Sequence, residues 1–293
     1  MKIQIQALKK SYGQKAALDN ISLTIENGMF GLLGRNGAGK TTLMQILSTL
    51  RKPTSGRIAF DEILLEDTRK IRPLIGFLPQ EFSLYPEMSV LEIMRYLAAC
   101  SNLPVKVQRR RIPDLLQRVN LWEDRRKKVG KLSGGMKRRL GIAQALLHDP
   151  QVLIVDEPTV GLDPQERLRF YSLLNEFSGN RIVIVSSHIV SDIETVCEKV
   201  AVLDAGKLLF TGTVEELAQM AAGKVYELTV PKSRQASIQN KYCVLSGQGH
   251  LADVKIRVLH DGVPAVGNPV TCAATVEDGY MEMLRQLEQE VKR

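Results

Sequence analysis

No stretch of this chain reaches the roughly 18 consecutive apolar residues that a membrane-crossing helix needs, so no span is expected from it. The N-terminal run Met1-Lys2-Ile3-Gln4-Ile5 lacks the apolar core of a secretory leader. Cys100, Cys197, Cys243 and Cys272 lie far apart and form no C-x-x-C pair. That spacing argues against a zinc site and leaves reduced, buried thiols of a cytosolic protein as the expectation. Aromatic residues are only 5% of the chain, and none interleaves the basic clusters as a stacking platform for bases would require. Internal repeats and low-complexity segments are also missing.

What is present is a chain of 293 residues, long enough for a large domain with a smaller one attached. Its net charge is +8, concentrated in Arg109-Arg110-Arg111, Arg125-Arg126-Lys127-Lys128 and Lys137-Arg138-Arg139. These clusters read as solvated helix faces; the alternative is attraction to nucleic acid or to an anionic inner leaflet.

The most informative segment is Gly34-Arg35-Asn36-Gly37-Ala38-Gly39-Lys40-Thr41-Thr42, a G-x-x-x-x-G-K-[ST] loop. Gly28–Leu33 before it reads as a short buried strand, and Leu43, Ile46, Leu47 and Leu50 after it recur at helical spacing. Such a loop wraps phosphates with inward backbone N–H groups, and the helix N-terminus that follows favours negative charge. The substrate class is therefore a nucleoside triphosphate with Mg²⁺. Lys40 is placed to reach the β- and γ-phosphates, Thr41 to offer a hydroxyl to Mg²⁺, and Thr42 to bond a phosphate oxygen.

Around this loop the pattern is α/β. Ile3–Ala7 and Ile21–Ile25 alternate as strands of an antiparallel edge region, with a turn at Tyr12-Gly13. Gly56–Asp61 is a strand and turn, and Ile75–Leu78 a short strand ending at Pro79-Gln80. Residues 86–147 read as a helical subdomain, with Ser89 and Glu92 as a capping box. Ser133-Gly134-Gly135 opens a helix with Met136, Leu140, Ala143 and Leu147 on one face, stopped by Pro150. The continuous apolar runs Val152–Val155 and Ile182–Val185 suit parallel strands buried on both faces, and the helical pattern between them makes a βαβ unit. Ala201–Phe210 is a hairpin, and Thr213 with Glu216 caps a helix ending near Ala222-Gly223. From there the texture changes. Val225–Val230 and Val254–Val258 read as strands between Gly-, Pro- and Ser-rich loops, and Thr275 opens a last helix. Residues 1–222 are thus expected to form the nucleotide-binding domain, and 223–293 a small α/β appendage without catalytic groups.

Val152–Val155 runs into Asp156-Glu157-Pro158. A strand end beside a phosphate loop is where a Mg²⁺-holding Asp belongs, and the adjoining Glu can polarise an attacking water. Leu132-Ser133-Gly134-Gly135-Met136 precedes this segment, Gly161-Leu162-Asp163 follows it, and Ser186-Ser187-His188 ends the next apolar run. With Tyr12 and Gln80, this order resembles the ATP-binding cassette (ABC) family over residues 1–222. The resemblance implies a P-loop NTPase core with a mixed β-sheet. It also implies roles: Tyr12 stacks on adenine, and Gly34, Arg35, Asn36, Gly37, Ala38, Gly39, Lys40, Thr41 and Thr42 hold the phosphates. Thr41, Gln80 and Asp156 attend Mg²⁺. Glu157, His188, Gln80 and Lys40 carry catalysis. Ser133, Gly134, Gly135 and Asp163 serve the nucleotide held by a second copy. Met136 stands where the family often has Gln, and Arg35 occupies a variable loop position; neither change removes a phosphate donor.

The resemblance further implies an ATPase subunit of a membrane transporter, in wording and appendage like the exporter branch. Two copies, or one copy and a paralogue, would sandwich two ATP molecules and drive separate integral-membrane permease subunits. The protein would sit in the cytoplasm, peripheral on the inner face of the membrane, with no nucleic-acid partner. Permease contact is expected near Glu81–Arg95, where Phe82, Leu84, Tyr85 and Met88 form either an apolar docking groove or subdomain core. The rival class is a cassette ATPase acting on DNA or ribosomes. The first needs a long coiled coil between phosphate loop and Ser-Gly-Gly segment, and the second two cassettes in one chain; neither is present. A GTPase would need an N-K-x-D segment, which is also missing.

Overall fold

The fold comes from a computed structural model, which describes residues 1–250 and 253–291. The chain divides into two compact units, Met1–Thr211 and Gly212–Arg293.

The first unit opens with β1 (Lys2–Tyr12) and β2 (Lys15–Glu26), an antiparallel pair turned at Gly13. Alternation sends Ile3 and Ile5 inward. Ala7, at φ 46°, then shifts the register so that Leu8 is buried in its place. Next come β3 (Gly28–Leu33), α1 (Lys40–Leu47), β4 (Ser55–Phe60), β5 (Ile63–Leu64), α2 (Thr68–Ile71) and β6 (Ile75–Leu78). Strands β2-β1-β4-β5 form an antiparallel sheet in that order. α3 (Val90–Cys100), α4 (Val105–Arg118) and α5 (Gly134–Ala145) follow. Ser89 and Glu92 do form a capping box at α3. α5, however, ends at Ala145, well short of Pro150. Asp149, at φ 62°, cannot continue a helix, and Leu147 packs beyond the last turn rather than on its face.

β7 (Val152–Val155), α6 (Pro164–Ser178), β8 (Ile182–Ser187), α7 (Val190–Val196), β9 (Lys199–Asp204) and β10 (Lys207–Thr213) complete a six-stranded sheet. Its order is β10-β9-β3-β8-β7-β6, with parallel pairing from β9 through β6. Every residue of β7 and β8 is buried, as their unbroken apolar runs predict. One core joins this sheet to the antiparallel one through α1, with Leu43, Met44, Ile46 and Leu47 of the helix among Ile3, Ile5, Phe30, Leu32, Phe60 and Ile154. Because β3, β6, β7 and β8 are parallel, their C-terminal turns share one edge. That edge receives Gly34, Gln80, Asp156-Glu157 and His188.

The basic clusters are not simply solvated faces. Arg111 donates to the Leu146 and Leu147 carbonyls, Arg139 to those of Val119 and Asn120, and Arg138 to that of Pro79. Arg125 of the middle cluster likewise donates to the Trp122 carbonyl, so each cluster gives one or two arginines to tie backbone carbonyls, while Arg109, Arg110 and Arg126 are exposed. The cysteines also depart from expectation. All are free, and burial pushes the Cys197 thiol up to about 12. Cys100 is exposed and Cys243 and Cys272 half-buried, however.

The second unit holds α8 (Val214–Gln219), β11 (Val225–Pro231), α9 (Gln235–Lys241), β12 (Cys243–His250), β13 (Asp253–Leu259), β14 (Val270–Thr271) and α10 (Val276–Val291). Thr213 and Glu216 cap α8, and α8 packs on α10. The strands form an antiparallel sheet in the order β12-β13-β11-β14. β12 and α9 occupy what reads as loop: Gly247 and Gly249 weaken the strand signal, but pairing with β13 supplies the backbone partners. Glu282 is buried beneath Lys224, Arg285 and Gln286. Burial opposes its ionisation, and these donors outweigh it, holding the carboxyl below its ordinary range. Among the described residues, no helix is long and apolar enough to cross a membrane.

Candidate active site

The Gly34–Thr42 loop joins β3 to α1 and borders a cavity of about 680 Å³. Tyr12, Lys15, Ala16, Ala17, Asn36–Thr42, Gln80, Glu157 and Ala205 line it. Tyr12, Gln80, Glu157 and the loop are expected members; Lys15–Ala17, at the start of β2, and Ala205, in the turn after β9, carry no sequence signal. The loop is drawn tight by the Ala38 N–H to the Arg35 carbonyl and by the Gly206 N–H to the Ala38 carbonyl. Gly39 sits at φ 107°, and a Cβ there would stand 2.6 Å from the Ala17 carbonyl and 2.8 Å from Leu18 Cδ2. A Gly39→Ala substitution is therefore expected to cost about 1–3 kcal/mol of backbone strain, and more for the clash. Thermal unfolding and nucleotide titration check it: a lower Tm together with weaker ATP binding is the expected result.

Lys40 is 4% exposed, yet charged groups of this type are rarely buried unpaired. Its Nζ donates to the Gly34 carbonyl at 2.6 Å and the Arg35 carbonyl at 3.3 Å, and stands 3.4 Å from Glu157 Oε1. Glu157 is 6% exposed and held at φ 43°, a conformation rare outside glycine. Its other oxygen, Oε2, accepts from Gln80 Nε2 at 3.3 Å and lies 3.2 Å from His188 Nδ1. One buried carboxylate, in the turn after β7, therefore gathers Lys40, Gln80 and His188 from the segments that follow β3, β6 and β8 at the same sheet edge.

Asp156 is 1% exposed beside it. Ser186 Oγ donates to Asp156 Oδ1 at 2.5 Å and accepts from the Glu157 N–H at 2.8 Å, so this hydroxyl seats both acids. Asp156 Oδ2 is buried with no hydrogen-bond partner. A buried carboxylate oxygen without a donor is costly, and its chemistry fits a hard cation or that cation's water. Thr41 offers a hydroxyl in the first turn of α1. The residues therefore fit Mg²⁺.

The remaining expected residues lie elsewhere. Ser133 caps α5, accepting from the Met136 N–H at 3.2 Å, and Asp163 caps α6, accepting from the Glu166 N–H at 2.8 Å. Gly134 lines a separate cleft with Gln80, Phe82, Lys137 and Arg138. Ser133, Gly134, Gly135 and Asp163 do not border the loop cavity of their own chain. Arg138 links α5 to the Gln80 turn through its 3.0 Å bond to the Pro79 carbonyl. Burial draws its pKa down, and the nearby Asp156 charge opposes that. Tyr12 is 42% exposed, with Lys10 and Arg51 about its ring. Ser186 and Arg138 have no motif of their own; the only sequence signal for Ser186 is a polar pair closing an otherwise apolar strand.

Comparison with known proteins agrees with this geometry. Residues 18–160 match the ABC transporter family model. The chain is 38% identical to the uncharacterised ABC transporter ATP-binding protein YxlF of Bacillus subtilis, over 82% of this chain and 80% of that protein. It is 33% identical to the linearmycin resistance ATP-binding protein LnrL of the same organism, over 88% of this chain and 83% of that one. Among solved structures, the dimeric post-hydrolysis state of an ATP-binding cassette bound to ADP and Pi matches with a TM-score of 0.65. That match has 27% identity and covers 72% of this chain and 98% of that one. The chain belongs to the ATP-binding subunits of ABC transporters, an exporter-like ATPase whose hydrolysis of ATP is coupled to transport.

Proposed function

We propose that this ATPase works as a head-to-tail dimer on separate permease subunits of an exporter, with Glu157 as the base of the reaction. The convergence of Lys40, Gln80 and His188 on this one buried carboxylate, at the wall of the phosphate-loop cavity, carries the proposal. The backbone N–H groups of Asn36–Thr42 and the N-terminus of α1 receive the phosphates. Lys40 supplies the fixed positive charge, and Tyr12 a ring face for adenine. Thr41 and Asp156 Oδ2 would hold Mg²⁺, which when bound neutralises charge on the phosphate oxygens. Glu157 takes the proton of the attacking water, and Gln80 and His188 keep its Oε2 aimed.

Ser133, Gly135 and Asp163 act on the nucleotide of the second copy. The exposure of Ser133 and Asp163 at two helix N-termini, away from the cavity of their own chain, supports this. The dimeric form of the matching cassette supports the same arrangement. The permease is proposed to dock at residues 81–95, where Tyr85 is exposed and Phe82 and Leu84 line a cleft with Pro86, Val129 and Gly130. That docking places the protein on the inner face of the membrane. The likeness to a linearmycin resistance ATP-binding protein supports the exporter reading. The second unit, none of whose described residues lines the cavity, has no catalytic part.

Mixed dimers test the shared site. Lys40→Ala and Ser133→Arg chains are each expected to be inactive alone. Combined, both lesions fall on one composite site and leave the other intact, so activity should return. No recovery in confirmed mixed dimers rejects the shared geometry, and failure to co-purify with a multi-helix membrane protein rejects the permease assignment.

A further inference from the structure

Asp192 belongs to none of the segments given a role above, and it is 2% exposed in the first turn of α7. Its Oδ2 accepts from Thr159 Oγ1 at 2.9 Å and from Ser187 Oγ at 3.3 Å, and its Oδ1 from Arg167 Nη1 at 3.1 Å. These donors come from three different segments. Thr159 lies in the turn that follows Glu157. Ser187 directly precedes His188, and its Oγ also accepts from the Ile189 N–H at 2.9 Å, which pins the backbone on the far side of that histidine. Arg167 is in α6, whose N-cap is Asp163. Burial, with Asp192 close by, raises the pKa of Tyr171 in the same pocket and keeps its hydroxyl neutral.

The carboxylate itself sits on a fixed support. α7 lies against β3, where a Cβ at Gly31 would come within 2.6 Å of Ile193 Cγ2 and 3.4 Å of Cys197 Sγ. β3 leads straight into the phosphate loop. A buried carboxylate is tolerable only while its donors are in place, so the three segments are bound to one point and to the loop strand.

We propose that Asp192 is a positioning residue for hydrolysis, holding the Glu157 turn, the His188 loop and the Asp163 helix in register with the phosphate loop. The inference rests on the reading of Glu157 as the base. Neither Asp192 nor its three donors line the nucleotide cavity, so loss of the tie should spare ATP binding and slow the chemical step. A misplacement of about 1 Å at a reacting group can cost roughly 10²-fold in rate.

The test compares kcat and KM for ATP in Asp192→Ala, Asp192→Asn and Ser187→Ala full-length chains, with rates normalised to ATP-binding sites counted by titration. Asp192→Ala is expected to lower kcat about 10- to 100-fold with KM nearly unchanged. Asp192→Asn keeps an acceptor for Arg167 and an amide for the two hydroxyls, and should recover most of the rate. Ser187→Ala, which removes one small group, should fold and show a smaller kcat loss at the same KM. In a Glu157→Gln background, Asp192→Ala should add little, because the two act on one group. Unchanged kcat per titrated site in Asp192→Ala or, if that chain does not fold, in Ser187→Ala makes Asp192 merely structural and overturns the inference. So do losses that multiply fully with Glu157→Gln. Wild-type turnover of Glu157→Gln alone overturns the base assignment instead, so the two failures are told apart.

Discussion

Glu157→Gln is expected to lower ATP turnover about 10²- to 10⁴-fold while leaving ATP bound and the dimer long-lived. The geometry says why the change is so selective. Oε1 faces the Lys40 ammonium, so the new amide cannot place its NH₂ there and must turn it toward Gln80 and His188. Gln80 can present its carbonyl oxygen instead, and His188 Nδ1 its lone pair, so the shape of the cluster survives. What is lost is basicity: an amide does not take a proton from water. Lys40, the loop N–H groups and the pair Thr41 and Asp156 are unaltered, as are the helix N-termini offered to a second copy. ATP therefore still closes the dimer, and hydrolysis no longer opens it. Size-exclusion chromatography in Mg·ATP should show a stable dimer of the variant against a largely monomeric parent. Wild-type turnover means that Glu157 is not the base. Loss of ATP binding means that it is a structural or metal-holding group and that its division of labour with Asp156 is wrong.

Most of the cavity was legible in the chain because its groups are turn residues at the ends of apolar strands. Periodicity marks those strands, and the Gly34–Thr42 spacing marks the loop. The parallel order of β3, β8, β7 and β6 then brings Gln80, Glu157 and His188 together without any local signal. Ser186, Thr159, Asp192 and Arg167 were not legible. They are common polar residues distinguished only by their tertiary partners: Ser186 bonds Asp156 and the Glu157 N–H, while Thr159 and Arg167 meet Asp192, which the packing of α7 on β3 sets in place. Arg111, Arg138 and Arg139 were misread for a related reason. Charge runs suggest solvent, but each of these arginines folds back onto carbonyls that a finished helix or turn leaves unbonded. In the second unit, β12 escaped notice because glycines at 247 and 249 mimic a loop, while cross-strand pairing rather than side-chain burial holds them.

Lys40→Ala should have the largest effect on substrate binding, because its ammonium serves two masters in turn. Its donors now bond the Gly34 and Arg35 carbonyls and approach Glu157, in a site only 4% exposed. Entering β- and γ-phosphates compete for those donors and carry more charge than a carbonyl. A charge-assisted hydrogen bond is worth about 1.5–3 kcal/mol, and about 1.4 kcal/mol is a tenfold change in affinity. Two such bonds lost correspond to roughly 10²- to 10⁴-fold weaker ATP binding, partly compensated by the loop N–H groups that remain. The free protein should suffer as well. Without Lys40, Glu157 keeps only Gln80 and His188 as partners, and a buried charge stripped of its counter-ion is strongly destabilising. Arginine should not rescue the site: its planar fork is too broad for the two carbonyls that now grip a single ammonium. Titration calorimetry with Mg·ATP and a thermal melt of the free chain separate the two consequences. Weak binding with a lowered Tm is the expected pair. Near-parental affinity and turnover in Lys40→Ala would remove the charge from the phosphate loop, and with it the assignment of this cavity to the triphosphate.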